Sequence, residues 1–277
     1  MLETKGQIEN FEITQLLEAV YQVYGYDFRE YARTTVKRRV KHRIKEEGLG
    51  TISELTNLII HNDRVLNDFL FDLSITVTEM FRDPHFYKGY KEHVIPYLNT
   101  YPYINIWHAG CATGEEVYSM GIFLKEHGIR DRVLQYATDF NDHSLDIVKN
   151  GIYNMEDYQK WQSNYIQSGG KLSLSEYFTS SHSSLSVIDY LKENCVVANH
   201  NLVTDKKFAD MQLIICKNVL IYFTIELQNQ VFELFYDSLV PGGLLCLGRS
   251  ESVAFTDFED KFELLDNKAK IYQKKWK

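Results

Sequence analysis

The sequence predicts an α/β protein: a parallel sheet covered by helices on both faces, preceded by an all-helical domain and carrying a small β insertion. Three observations lead there. Before residue 104, apolar residues recur at helical spacing and no strand pattern is present. From 104 onward, continuous apolar runs alternate with amphipathic helical stretches, the pattern of parallel strands buried on both faces. Between about 152 and 200 the alternation weakens into polar, Ser-rich sequence. The expected domains are therefore residues 1–95, helical, and 96–277, sheet-bearing, with the insertion at about 152–200.

The elements follow in order. "ITQLLEAVYQVYG", the basic stretch 28–47, "TISELTNLIIHN" and "RVLNDFLFDLS" all carry the 3.6-residue period. Thr51 followed by Glu54 spells a capping box opening the third of these helices. Then come the strand "YINIWHA", the helix "GEEVYSMGIFLKEHG", the strand "RVLQYATD" and the helix "NDHSLDIVKNGIY". In the insertion, "LSLSEYF", "SSLSVIDYL" and "NCVVANHN" read as short strands. The chain closes with the strand "MQLIIC", the helix "TIELQNQVFELFYDSLV", "GGLLCLG", and a final pair, "FELLD" and "AKIYQKK". Ligands of such sheets sit at the carboxyl ends of the strands, near the point where the strand order reverses.

A chain of 277 residues with 44% hydrophobic residues can bury one large core with a satellite. The N-terminus lacks a basic and an apolar signal region, and no run approaches the roughly 18 apolar residues that span a bilayer, so a cytoplasmic protein without membrane insertion is expected. Cys111, Cys195, Cys216 and Cys246 stand alone, without a CxxC pair. That favours reduced thiols; neither disulfide nor zinc is expected, and no HExxH spacing supports a metal.

The net charge of −8 hides an asymmetry: residues 28–47 carry a local +5, leaving −13 on the rest of the chain. Val36, Val40 and Ile44 share one face of that helix, and Lys37, Arg38, Lys41 and Lys45 gather on another. The cationic face is either a solvated surface or a docking surface for an acidic partner.

The stretch "INIWHAGCATGEEVYS", 104–119, sets two acids at a strand-to-helix turn where a dinucleotide-binding spelling would hold phosphate. Gly110 and Gly114 permit tight turning and close backbone approach to a ligand. Thr113 through Glu116 fits a second capping box, which would make Glu116 structural. Glu115 is then either a favourable first-turn acid or the partner of a cationic group such as an ammonium. Asp139, at the tip of the second strand, is placed to take both hydroxyls of a ribose. S-adenosylmethionine explains both acids, having a ribose, an amino-acid tail and a sulfonium but no phosphate. With the "VPGG" turn, these features point to a class I, Rossmann-like methyltransferase.

Two further stretches, "SITVTEMFRDPHFY" (74–87) and "LIICKNVLIYF" (213–223), complete an ordered set with "AGCATGEEVYS" and "ATDFN". Together they resemble the CheR-type chemoreceptor glutamate O-methyltransferases, which show T-x-F-F-R, G-E-E-P-Y-S, A-T-D, N-L and C-R-N-V-x-I-Y-F in that order. The resemblance covers nearly the whole chain. It implies cofactor contacts at Thr76, Thr78, Arg82, Gly110, Glu115 and Asp139, at Asn201 and Leu202 near the adenine, and at Lys217 and Asn218. It implies that Arg82 and Tyr222 flank the methyl group and the incoming carboxylate. It further implies S-adenosyl-L-methionine as cofactor, S-adenosyl-L-homocysteine as product, and a monomer whose basic helix docks on glutamate-rich cytoplasmic helices of chemoreceptors.

The departures are Met80-Phe81 for Phe-Phe, Thr76 for Asn, Lys217 for Arg, Val117 for Pro, and His108 for a small residue. Lys217 keeps the charge and loses the guanidinium fork. His108, at a strand end, is either catalytic or simply hydrogen-bonded. The stretch between "YF" (177–178) and "NL" (201–202) is short and Ser-rich, which argues against tethering to a receptor C-terminal peptide. The competing readings are a methyltransferase of small molecules on the same cofactor site and a non-catalytic S-adenosylmethionine-binding regulator. A nicotinamide dehydrogenase is disfavoured because Glu115 and Glu116 would sit where pyrophosphate must go. Nucleic acid fits poorly with the −13 remainder.

Overall fold

The computed structural model describes residues 4–73 and 78–276. The chain forms two compact units, one of Met1–Ile75 with Tyr222–Gln228, the other of Thr76–Ile221 with Asn229–Lys277.

The first unit is helical: α1 (Lys5–Tyr24), α2 (Arg33–Glu46), α3 (Ile52–His61) and α4 (Asp63–Leu73). α1 begins well before "ITQLL" because Thr4 and Gln7 cap it reciprocally, and it stops at Gly25, which turns left-handed at φ +80°. The expected capping box of α3 forms: the Glu54 amide donates to Thr51 Oγ1 at 3.2 Å and the Thr51 amide to Glu54 Oε2 at 3.0 Å. On α2, Val36 and Val40 are fully buried, as their spacing requires. Arg43 is a structural cation, bound to Asp72 at 2.8 Å. The segment 222–228 joins this unit through backbone: Ala32 N donates to the Tyr222 carbonyl at 2.8 Å, and Thr224 N to the Glu30 carbonyl at 3.1 Å.

The second unit starts with a helical run: α5 (His85–Gly89), a π turn (Tyr90–Val94) and α6 (Ile95–Leu98). The division between units therefore falls at 75/76 rather than near 95. Phe86, Tyr87, Tyr90, Val94 and Leu98 are buried in the hydrophobic cluster of the sheet, which claims these helices for it. Next come β1 (Ile104–Ala109), α7 (Glu115–Glu126), β2 (Val133–Asp139), α8 (Asp142–Asn150), β3 (Ile152–Asn154), α9 (Tyr158–Gln167), β4 (Phe178–Ser181), β5 (Ser184–Val187) and α10 (Asp189–Lys192). They are followed by β6 (Cys195–Asn199), β7 (Met211–Cys216), α11 (Ile225–Ser238), β8 (Leu239–Leu247), β9 (Phe262–Asp266) and β10 (Ile271–Lys274).

The main sheet has the order β6-β2-β1-β7-β8-β10-β9, parallel as far as β8. The all-parallel expectation fails at one edge: β10 inserts antiparallel between β8 and β9, because a short hairpin can only reverse direction. The "VPGG" turn is a bulge inside β8, with Gly242 at φ +74° and the register to β7 slipping between Met211 and Leu213. Strands β3, β5 and β4 form a separate antiparallel sheet. The "NCVVANHN" stretch, grouped with the insertion by its sequence, instead supplies β6 to the main sheet, pairing Asp139 with Asn199. Between β3 and β4 the insertion also holds α9, anchored by buried Trp161 and Tyr165.

Candidate functional site

The first wall of the site is the turn between β1 and α7. Gly110 sits at φ +72°, and a Cβ there would lie 2.6 Å from Val219 Cγ2, so only glycine fits. The Gly110 and Cys111 amides both donate to the Thr138 carbonyl at 2.9 Å, fastening the turn to the end of β2. Ala112 is left-handed at φ +47°, a strained position for a non-glycine residue, and its amide donates to Asp139 Oδ2 at 3.0 Å. Tyr153, from the small sheet, braces the turn through a hydrogen bond from its hydroxyl to the Thr113 carbonyl, 2.7 Å.

The capping box expected from Thr113 and Glu116 does not form. Gly114 is the N-cap, at φ +91°, so the helix starts one residue later than the spelling suggests. Thr113 Oγ1 donates instead to Glu115 Oε2 at 2.7 Å. Glu116 pairs with Lys217 Nζ at 2.9 Å, a contact between side chains that are 15% and 5% exposed. Lys217 also lies 4.7 Å from the centre of the Phe86 ring.

Glu115 is 7% exposed, and burial raises its pKa to about 7, only partly offset by the Thr113 hydroxyl. Asp139 is 6% exposed and pushed up to about 6 by the same cause, with the amides of Asn141, Ala112 and Phe140 pulling the other way. Among the described residues neither carboxylate has a cationic partner within 4 Å, a set in which Glu116 and Lys217 do appear. Downstream of β6, the His200 amide donates to the Asp139 carbonyl at 3.1 Å. Asn201 then organises a turn, accepting from the Val203 amide at 3.0 Å, and Leu202 is 9% exposed.

The loop after β7 forms another wall. Asn218 is left-handed at φ +62°, and its Oδ1 is buried without a hydrogen-bond partner among the described residues. Its conformation is held by Glu251, which sequence reasoning missed. Glu251 is 4% exposed and accepts from four amides: Asn218 (2.9 Å), Val219 (2.8 Å), Leu220 (2.8 Å) and Gly248 (2.6 Å). Burial raises its pKa against those donors. The available signal was an acid in a "GRSES" run directly after an apolar strand.

Thr76 lies outside the described residues, and Thr78 is half-buried. Arg82, half-buried, is flanked by two left-handed residues, Phe81 (φ +53°) and Asp83 (φ +54°). The Phe81 amide donates to Ser119 Oγ at 2.8 Å, and Ser119 Oγ donates to the Glu115 carbonyl at 2.6 Å, so the Arg82 segment is tied to the first turn of α7. Tyr222 belongs to the helical unit, unlike the other site residues. His108 is hydrogen-bonded, its Nε2 3.0 Å from Gln135 Oε1, and burial lowers its pKa to about 4, which keeps the ring neutral.

On the basic helix, Lys37 and Lys41 both grip Glu9 of α1, at 2.7 and 2.8 Å. Arg38 and Lys45 are exposed, with no ion pair among the described residues. The four cations are thus two structural and two available.

Comparison with known proteins decides the family. The model of the CheR methyltransferase SAM-binding domain matches residues 76–271, and that of the CheR methyltransferase all-alpha domain matches 12–74. The chain belongs to the CheR methyltransferase family. It is 42% identical to a candidate methyltransferase, Cher3, of Pseudomonas putida, covering 98% of this chain and 99% of that one. It is 29% identical to a chemotaxis protein methyltransferase of Listeria innocua, covering 83% and 85%, and 25% identical to that of Escherichia coli, covering 90% and 86%. The cofactor of a CheR methyltransferase is S-adenosylmethionine, and the residues present fit it. Two buried carboxylates without a cationic partner among the described residues suit its ammonium and its ribose hydroxyls, and the orphaned Asn218 Oδ1 is a further buried acceptor.

Proposed function

We propose that this chain transfers the methyl group of S-adenosylmethionine to glutamate side chains in the cytoplasmic segments of chemoreceptors, leaving S-adenosylhomocysteine. The observation that carries the reading is the pair of buried acids, Glu115 and Asp139, whose charge no protein cation among the described residues offsets. That its relatives over most of their length are named chemotaxis protein methyltransferases supports the substrate class. It also favours a protein acceptor over a small molecule.

Glu115 takes the ammonium of the cofactor and Asp139 its ribose hydroxyls, through lone pairs left over from the turn amides. Asn201 and Leu202 border the adenine, Gly110 allows close backbone approach, and Thr76, Thr78 and Asn218 complete the contacts. Lys217 acts through Glu116, fixing the first turn of α7. The bound cofactor supplies a methyl group already activated on a sulfonium. An acceptor glutamate, with an ordinary pKa of about 4.3, is ionised at neutral pH and needs no general base. What remains for the chain is positioning and exclusion of water. Arg82 orients the acceptor carboxylate by charge-assisted hydrogen bonds. His108, neutral and bound to Gln135, moves no proton.

The test is incubation with methyl-labelled cofactor and a receptor cytoplasmic fragment, followed by alkali. A glutamate methyl ester releases volatile labelled methanol, and Arg82→Ala should cut that release far more than it lowers the melting temperature. Label that stays on the protein after alkali, or undiminished release by Arg82→Ala, overturns the reading.

A further inference from the structure

The half of the sheet opposite β2 and β6 carries a second polar feature. At the carboxyl end of β8, His85, Arg249, Asn267, Lys268 and Lys270 line a cleft of about 480 Å3. Its walls come from three places in the chain: the start of α5, the residues after β8, and the turn between β9 and β10. The Leu247 amide donates to the Lys270 carbonyl at 3.1 Å, which joins two of these walls at the strand end.

Three cations and a histidine meet here on a chain whose net charge is −8. Among the described residues, Arg249, Lys268 and Lys270 have no carboxylate within ion-pair distance; Lys270 Nζ donates only to Asn267 Oδ1, at 3.0 Å. The acid of the same turn, Asp266, is committed elsewhere. Its Oδ1 accepts from the Lys268 and Ala269 amides at 2.7 and 3.0 Å, and its Oδ2 lies 4.0 Å from His93 Nε2. Like charges gathered without counter-charge repel one another, so the arrangement is stabilised by an anionic occupant. Two walls of the cleft also continue along the chain into the site described above. Arg249 follows Gly248, whose amide shares Glu251 with Asn218, and His85 lies three residues beyond Arg82.

We propose that this cleft receives acidic side chains that flank the methyl-accepting glutamate in the protein substrate, and so selects which glutamates are methylated. The proposal rests on the reading of the chain as a protein-glutamate methyltransferase. Exposed ammonium and guanidinium groups mounted on separate segments suit carboxylates one helical turn apart, about 5.4 Å, better than a single phosphate, which calls for converging donors.

The test is fluorescence anisotropy of a labelled, glutamate-rich helical peptide titrated into the full chain saturated with S-adenosylhomocysteine. The variant Arg249→Glu/Lys268→Glu should raise the peptide Kd at least tenfold, and Arg249→Gln/Lys268→Gln should raise it less. Affinity for S-adenosylhomocysteine should change by less than twofold in both, which certifies the fold. An unchanged peptide Kd, or no peptide binding by the unaltered chain, overturns the proposal. So does displacement of the peptide by an equal concentration of inorganic phosphate, the behaviour of a small-anion site. Alkali-labile methylation of the same peptide is scored separately. A peptide that binds with the expected charge dependence yet is never methylated rejects the catalytic reading and leaves the cleft standing. A methylated peptide indifferent to the charge reversal rejects the cleft.

Discussion

At Asp139 and Glu115, burial and hydrogen bonding pull in opposite directions, and burial wins. Asp139 keeps its orientation because the Ala112 and Asn141 amides hold one oxygen each, at 3.0 Å. Those bonds also hold the turn, so Asp139→Ala removes the proposed cofactor contact and loosens a left-handed residue at once. Calorimetry of the variant should show S-adenosylmethionine binding weakened by more than about 1.5 kcal/mol, the scale of a hydrogen bond to a charged group. Unchanged affinity would remove Asp139 from the site. Glu251 is the opposite case, a buried acid whose carboxylate accepts from four backbone amides of the loops it joins. Glu251→Gln puts an amide NH2 among four N–H donors and should cost about 1–3 kcal/mol in denaturant unfolding, the range for an unsatisfied buried group. Wild-type stability in that variant would contradict the role assigned to it.

Two identical spellings behave differently at the scale of the element. Thr51 and Glu54 form a capping box, and the one further donor to Glu54, the Gly50 amide at 2.7 Å, comes from the same turn and reinforces it. Thr113 and Glu116 do not, because Gly114 takes the cap position and Lys217, 101 residues away, claims Glu116. Local spacing was legible; a partner brought in by the sheet was not. The same limit explains β6, whose short run CVVAN lies in the polar insertion sequence and joins the main sheet because β2 offers it an edge, and α9, hidden in Gln-, Ser- and Asn-rich sequence until Trp161 and Tyr165 find a core. The apolar strands β1, β2 and β7 and the strand-tip position of Asp139 were readable directly, since burial on both faces demands continuous hydrophobic runs. The basic helix was readable as a charge pattern, and the structure divides it. Arg38→Glu/Lys45→Glu should change stability by less than about 0.5 kcal/mol, as read by thermal melting, and weaken docking of acidic receptor helices. Lys37→Glu/Lys41→Glu, which sets two acids beside Glu9, should lower the melting temperature. Thermal melting with receptor-fragment binding distinguishes the pairs, and equal effects from both would reject the division.

Over the whole molecule, charges of opposite sign are proposed to serve opposite ligands: acids with no ion pair among the described residues a cationic cofactor, and bases with none an acidic substrate. The acids make the stability of the free protein depend on pH. Glu115 and Asp139 hold protons in the folded chain up to about pH 7 and about pH 6, and release them near 4.5 and 3.8 when unfolded. The folded state therefore binds more protons across that window, and their stabilising contribution is present below about pH 4 and lost as pH rises through 6 and 7. The cofactor reverses this, because its ammonium pairs with the ionised form. The most direct measurement is the rise in melting temperature on saturation with S-adenosylmethionine, at pH 6 and at pH 8. Affinity should tighten about tenfold between them, as Glu115 passes from mostly protonated to mostly ionised, so the rise should be larger at pH 8 and lose most of its pH dependence in Glu115→Gln, the remainder coming from Asp139. An equal or smaller rise at pH 8, or an unaltered pH dependence in Glu115→Gln, would contradict the claim that these buried acids are the cofactor site.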